Sequence, residues 1–379
     1  MALDLDLSES EEMLRRTALD FMRRDAPKEV IQTLQETATG YTEELWRKAV
    51  EMGWLEIIIP ERYGGMESSL TSAGVLFEAL GTGPLPGPYF SSGILGSLII
   101  LEAGAEEQKQ RILSAVARGE QILSLALTEP DYSWEVNALQ TTATSKNGVF
   151  VLDGLKLFVL DAQAATHFIV PARARKEADP AKGVSLFLVD SKSDGVSVRQ
   201  LPGFLAGRTF EVKLNSVKVP ASAMLGEKYE GWAALKRAID RAIPVLCAYK
   251  VGACQAVLEL TLEYSRTRVQ FGQPIGRFQR VQDMIIEMVE YTDAARWTTY
   301  EALWKLDTQR EAAESVHLAK AVASQAYWDV VTLAHRVFSG ISYSKDHPVS
   351  FHTRASRQLY NFLGEPSYHR QQLAQFMIA

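Results

Sequence analysis

The chain is poor in the features that anchor several common kinds of site. Only two of its 379 residues are cysteine, too few for the disulfide framework of a small secreted domain. They fall at Cys247 and Cys254, seven apart among apolar neighbours, a spacing that predicts two buried thiols on one helix face. The six histidines, at 167, 317, 335, 347, 352 and 369, form no metal-ligand spacing with them, so no metal site is expected. Positive charge is not in excess either: 40 Lys and Arg stand against 46 Asp and Glu, a formal net charge of -6. A general nucleic-acid binder needs a basic excess to neutralise phosphates, so that class is excluded. Long apolar runs are missing. The longest, from Ile94 to Leu101, contains Gly96 and Ser97 and is too short to span a bilayer. The opening MALDLDLSESEEMLRR is acidic and shows no apolar signal region, so a reducing, cytoplasmic setting is expected.

What remains is an ordinary globular composition, 47% hydrophobic and 23% charged, in a chain long enough for two or three packed units. From about residue 7 to 120 the hydrophobic pattern is helical, and LSESEEMLRRTALDFMRR opens with a Ser and acids that suit a capped helix start. EELWRKAVEMGWLEIIIP reads as a helix stopped at Gly53 and a short extended segment ending at Pro60. Between about 121 and 227 the period changes. ILSLALT, GVFVLDGLKLFVLDA, HFIVPARA, GVSLFLVD, GVSVRQL and TFEVKLNSVKV are short β-rich runs between turn residues, which predicts a sandwich or barrel. From 228 onwards long amphipathic helices return, suited to a bundle packed against itself and against another subunit. The expectation is an α+β chain, mostly α, with an N-terminal helical domain over 1–120, a middle β domain over 121–227 and a C-terminal bundle over 228–379.

This order of domains resembles the acyl-CoA dehydrogenase family over nearly the whole chain. The motifs that carry the resemblance are MGWLEIIIPERYGG at 52–65, EALGTGPLPGPY at 78–89, ALTEP at 126–130 and VLDGLKLFVLDA at 151–162. YSRTRVQFGQPIGRFQRVQ at 264–282 is the most specific stretch, and RASRQLYNFLGEPSYHR at 354–370 follows near the end. The resemblance implies FAD, an acyl-CoA substrate and a tetramer whose flavins are each covered by a neighbouring chain. In such enzymes a carboxylate removes the proton alpha to the thioester while a hydride leaves the beta carbon for the flavin.

Tested site by site, the family pattern is kept unevenly. Thr128 is in place before the flavin loop, but the small-residue run after TEP reads Asp131-Tyr132-Ser133-Trp134-Glu135, with two rings where the family has small residues. That predicts a loop closed by its own side chains, the alternative being a reshaped site with aromatic stacking. The flavin-facing W-I-T triplet becomes Phe158-Val159-Leu160, an aromatic without the hydroxyl. By contrast Arg268, Gln270 and Phe271, with Phe278 and Gln279, keep the motif that reaches the flavin pyrophosphate of an adjacent subunit, where an Arg suits phosphate. The Q-x-x-G-G pattern of the same surface reads Arg336-Val337-Phe338-Ser339-Gly340, with Ser342 at a further family glycine. Neither usual position of the base carries a carboxylate: one is Leu363, the other Ala242. Asp240 and Glu365 each lie two residues away and are the catalytic candidates. On a helix, two residues turn a side chain by about 200°. Ile243 stands where some relatives place an Arg that grips CoA.

The losses fall on the half that would hold this chain's own flavin, and the retained half would cover a neighbour's. A heteromer tolerates that division and a homotetramer does not. The sequence therefore resembles the completing chain of a bacterial α2β2 enzyme built with a paralogous dehydrogenase chain, a group that handles bulky acyl groups. Two alternatives stay open: a self-sufficient homotetrameric dehydrogenase using Asp240 or Glu365, and a non-enzymatic scaffold of the same fold.

Overall fold

The computed structural model describes residues 6–37, 39–146, 148–202 and 209–378. The chain divides into two compact units. The first is Met1–Gln35, Ser69–Leu85 and Ile243–Ala379; the second is Glu36–Ser68 and Pro86–Ala242.

In the first unit, α1 (Glu9–Arg24) starts as its sequence predicts. The Ser8 side chain accepts the Glu11 N–H, the Glu11 carboxylate accepts the Ser8 N–H, and three acids sit in the first turn. Beyond α2 (Lys28–Glu36), the second unit opens with α3 (Glu43–Glu51), capped by Thr42. The residues after it are not extended as the sequence suggested. Gly53 takes a positive φ of 73°, and successive turn bonds, Glu56 N–H to Gly53 O and Ile59 N–H to Glu56 O, coil the segment. That folding buries Trp54, Leu55, Ile57 and Ile59 together, which an exposed extended strand would not do.

Next comes α4 (Leu70–Gly81), in the first unit. In the second unit a π-helical stretch, Tyr89–Gly96, runs into α5 (Ser97–Ala103), followed by α6 (Glu106–Ala117). The sheet then forms from β1 (Leu123–Leu125), β2 (Thr142–Lys146), β3 (Val149–Leu160), β4 (His167–Arg173), β5 (Val184–Asp190), β6 (Val196–Gln200), β7 (Thr209–Pro220) and β8 (Met224–Leu225). Its order is β6-β7-β3-β2-β4-β5-β8, with β1 pairing β4 in parallel. The six apolar runs of the sequence are β1 and β3 to β7. The strands it did not reveal are β2, polar on most positions, and β8, two residues long. Phe150, Phe168, Phe187 and Phe210 fill the sheet's core, with the Phe150 and Phe187 rings 5.0 Å apart.

A single helix, α7 (Gly231–Thr267), carries the chain from the second unit into the first. It is long and apolar enough to cross a membrane, but 67% of its most apolar window is buried inside the fold, as in the core helix of a globular protein. Cys247 and Cys254 are both fully buried and free. The rest of the first unit is a two-strand hairpin, β9 (Val269–Gln270) and β10 (Gln273–Pro274), then α8 (Gln279–Asp307), α9 (Ala313–Phe338), α10 (Pro348–Asn361) and α11 (Pro366–Ile378). Within it α4 meets these helices closely. A Cβ on Gly81 would fall 1.9 Å from the Tyr249 carbonyl, and one on Gly252 1.8 Å from that of Glu78. Only glycine permits both approaches.

Candidate functional site

In the second unit, the loop after β1 and the end of β3 form one surface. The Leu157 N–H donates to Thr128 O at 2.8 Å, tying the TEP segment to β3. Beneath it lies a buried ion pair: Lys156 Nζ is 2.7 Å from Glu129 Oε1 and also donates to Pro171 O at 2.9 Å. The Glu129 carboxylate accepts the backbone N–H groups of Gln140 and Thr141 at 2.5 and 3.0 Å. Burial works to raise the Glu129 pKa, but the Lys156 charge and these hydrogen bonds outweigh it and leave it below the ordinary value. Burial pushes Lys156 down to about 8, against the opposing pull of Glu129.

On this base the loop is filled. Tyr132 adopts a positive φ of 51° and Phe158 one of 55°, conformations that cost a bulky residue energy and persist only when the surroundings impose them. Phe158 lies where the β3–β7 register shifts, between Lys156 and Val159. That irregularity turns its ring out of the sheet, leaving it 45% exposed. The Tyr132 ring meets it edge-on with centroids 5.3 Å apart. Behind the loop a cavity of about 10 Å³ remains, lined by Leu127, Glu129, Ser133 and Trp232 among others. It has room for about one water. Asp161, one residue beyond the triplet, is buried and accepts the Ser91 hydroxyl at 2.7 Å.

The base positions lie on two elements. In the second unit Ala242 is fully buried on α7. Asp240 is held by Lys236 at 2.8 Å, next to Arg237 and Arg241, which both grip Glu102. In the first unit Leu363 is 3% exposed, with a φ of 58°. Glu365 accepts from the Ser367 hydroxyl at 3.3 Å.

Also in the first unit, the structure brings the Arg268 motif and the altered Arg336–Gly340 pattern together. Tyr264 of α7 stacks on Phe338 of α9, with centroids 4.4 Å apart. Arg268 follows the first of these rings, and its N–H donates to Tyr264 O. Arg336 and Gly340 flank the second. Arg268, Gln270, Arg336 and Gly340 are all exposed. Phe271, at the hairpin tip, is 93% exposed and meets Phe278 edge-on at 6.0 Å. Gln279 begins α8 beside it, also exposed. A Cβ on Gly340 would meet nothing within 4 Å, so backbone and guanidinium groups here face open space. The large groove of the first unit, about 1,010 Å³ between α1, α4 and α7, is lined by none of these residues.

Three profiles of one family match in succession: acyl-CoA dehydrogenase N-terminal domain over residues 8–120, middle domain over 124–217 and C-terminal domain over 229–378. The chain belongs to the acyl-CoA dehydrogenase family. It is 29% identical to a 3-(aryl)acrylate reductase of Clostridium sporogenes over 90% of this chain and 91% of that one. Among solved structures it is similar to the butyryl-CoA dehydrogenase of Megasphaera elsdenii, with a TM-score of 0.91, 25% identity and all of both chains covered. It is also similar to a chain of the ChsE4–ChsE5 complex from Mycobacterium tuberculosis, with a TM-score of 0.89, 25% identity and 99% of each chain. An FAD complex of PigA matches with a TM-score of 0.90, 26% identity and 99% of each chain. The acyl-CoA dehydrogenase fold is thus present from end to end, in a family of flavoprotein oxidoreductases. Lys156, Lys250, Lys320 and His369 are among the buried polar groups around these motifs that sequence reasoning did not single out. Buried lysines carry no periodic signal, since in a sequence each reads as another surface charge.

Proposed function

We propose that this chain is the completing subunit of a heteromeric, FAD-dependent acyl-CoA dehydrogenase. It supplies Arg268, Phe271 and Arg336 to a flavin site formed with a paralogous chain and contributes no catalytic base. The observation that carries this reading is the Tyr132–Phe158 contact. A flavin ring needs an open face where Tyr132 now lies on Phe158, so this chain's own loop does not fit the cofactor, and no catalytic step is assigned to it. The exposed hairpin fits the opposite role. An Arg beside open backbone suits a pyrophosphate presented from outside, and an almost fully exposed Phe271 suits contact with another chain. Leu363 and Ala242, both buried and apolar, support the lack of a base. The engagement of Asp240 by Lys236 speaks against its serving as a substitute. A bulky acyl thioester is the proposed substrate class, acted on in a cytoplasmic α2β2 assembly.

The test combines this chain with a motif-complete paralogue from the same genome and measures bound FAD and acyl-CoA turnover. Turnover by the pair, lost with Arg268→Ala in this chain and unaffected by Asp240→Asn and Glu365→Gln, is the expected result. Turnover by this chain alone, abolished by Asp240→Asn or Glu365→Gln, would overturn it.

A further inference from the structure

Two hydrogen-bonded chains of buried side chains meet at consecutive carbonyls of the turn that carries Leu363. In the first, His369 Nε2 is 2.9 Å from Leu363 O, and His369 Nδ1 is 2.9 Å from His317 Nδ1. A carbonyl only accepts, so His369 carries its proton on Nε2 and takes the Nδ1–H of His317 on the other side. Burial holds His369 neutral, far below the ordinary histidine range, and Lys320 adds to the effect. In the second, Lys320 Nζ donates to Gly364 O at 2.6 Å and to Ser324 Oγ at 3.1 Å, while Lys250 Nζ lies 2.7 Å from that same hydroxyl. Both amines are fully buried.

Two ammonium groups on one hydroxyl in a dry interior repel, and none of the hydrogen bonds named here supplies a carboxylate to offset them. One proton between the two is the arrangement that chemistry favours. Ser324 then donates its hydroxyl hydrogen to a neutral Lys250 and accepts from a charged Lys320. The proton is placed on Lys320 because that amine bonds the Gly364 carbonyl, whereas among the described residues Lys250 meets the Ser324 hydroxyl and Lys320 itself. Among the described residues, the titratable groups that face the pair are Cys247 and Cys254 on α7, Glu365 on the turn and His369 on α11, itself bonded to His317 of α9. Of these Glu365 is the anion, and it favours charge on Lys320. We propose that Lys250 and Lys320 share a single proton through Ser324, and that this proton on Lys320 is the latch that fixes the Leu363–Glu365 turn. Burial pushes Lys250 down to about 8 and holds Lys320 well below the lysine range. The two amines share one hydroxyl and so titrate as a pair. The latch needs neither flavin nor acyl-CoA and stands apart from the proposed function.

The experiment is hydrogen–deuterium exchange of the full chain, read on the peptide spanning 360–369, for Lys250→Met and Lys320→Met. Losing a charge-assisted hydrogen bond speeds opening by roughly tenfold to a hundredfold, so Lys320→Met raises exchange by that factor. Lys250→Met leaves the proton in place and exchange unchanged or slower. In the wild type, exchange corrected for its intrinsic pH dependence rises as the pair loses its last proton, below the ordinary lysine range, and Lys250→Met moves this midpoint upward by removing the competing amine. Should Lys320→Met fail to fold, the Lys250→Met midpoint decides alone. Equal loosening by both variants, or a midpoint that Lys250→Met does not move, would overturn the proposal.

Discussion

Replacing Tyr132 with alanine and with glycine separates the two forces acting on the filled loop. The ring contact with Phe158 stabilises the loop by about 1 kcal/mol, near the middle of the range for aromatic pairs. The φ of 51° costs a residue with a Cβ about 1 kcal/mol relative to glycine. Tyr132→Ala loses the ring and keeps the strain, for a net loss of about 1 kcal/mol. Tyr132→Gly loses the ring and relieves the strain, so the two effects cancel to within about 0.5 kcal/mol. Urea unfolding monitored by circular dichroism resolves this difference as a shift in midpoint at constant slope. Both substitutions uncover Phe158, and both raise the FAD retained by the chain on its own after gel filtration. If glycine destabilises as much as alanine, the loop is not held against backbone strain and the reasoning fails.

Two further expectations concern the pair beneath the loop. Lys156→Met strands a buried Glu129 and lowers stability by about 3–5 kcal/mol, whereas Lys156→Met with Glu129→Gln loses less; urea midpoints of both variants decide. The depressed Glu129 pKa gives stability that is fully present above the unfolded carboxylate value and lost as pH falls through the lower folded one. Glu129→Gln therefore flattens the acid limb of stability below about pH 5, measured by unfolding at each pH.

The parts legible in the sequence were those set by local rules. Ser8 and Glu11 marked the first helix because a capping box spans only four residues. The six apolar runs marked strands because apolar residues recur along each of them between turn residues. The segment from Trp54 to Ile59 was misjudged: three isoleucines in a row suit a strand, and the coil they adopt follows from turn bonds at Gly53 and Glu56. β2 escaped because a mostly exposed TATSK has no hydrophobic pattern to read. At the site, substitutions against a family pattern could be seen, but not what their side chains touch. That Tyr132 lies on Phe158 depends on two unusual backbone angles and a register shift. That Lys250 meets Lys320 depends on two helices that bring Lys250 to Ser324, 74 residues on, where Lys320 also bonds.

The central claim is that this chain does not hold a flavin of its own. The most direct measurement is the visible absorption spectrum of the chain purified alone, reconstituted with excess FAD and passed through gel filtration. A colourless protein, which gains flavin absorbance only when a motif-complete paralogue is added, is the predicted result. One FAD retained per chain in the absence of any partner would contradict it.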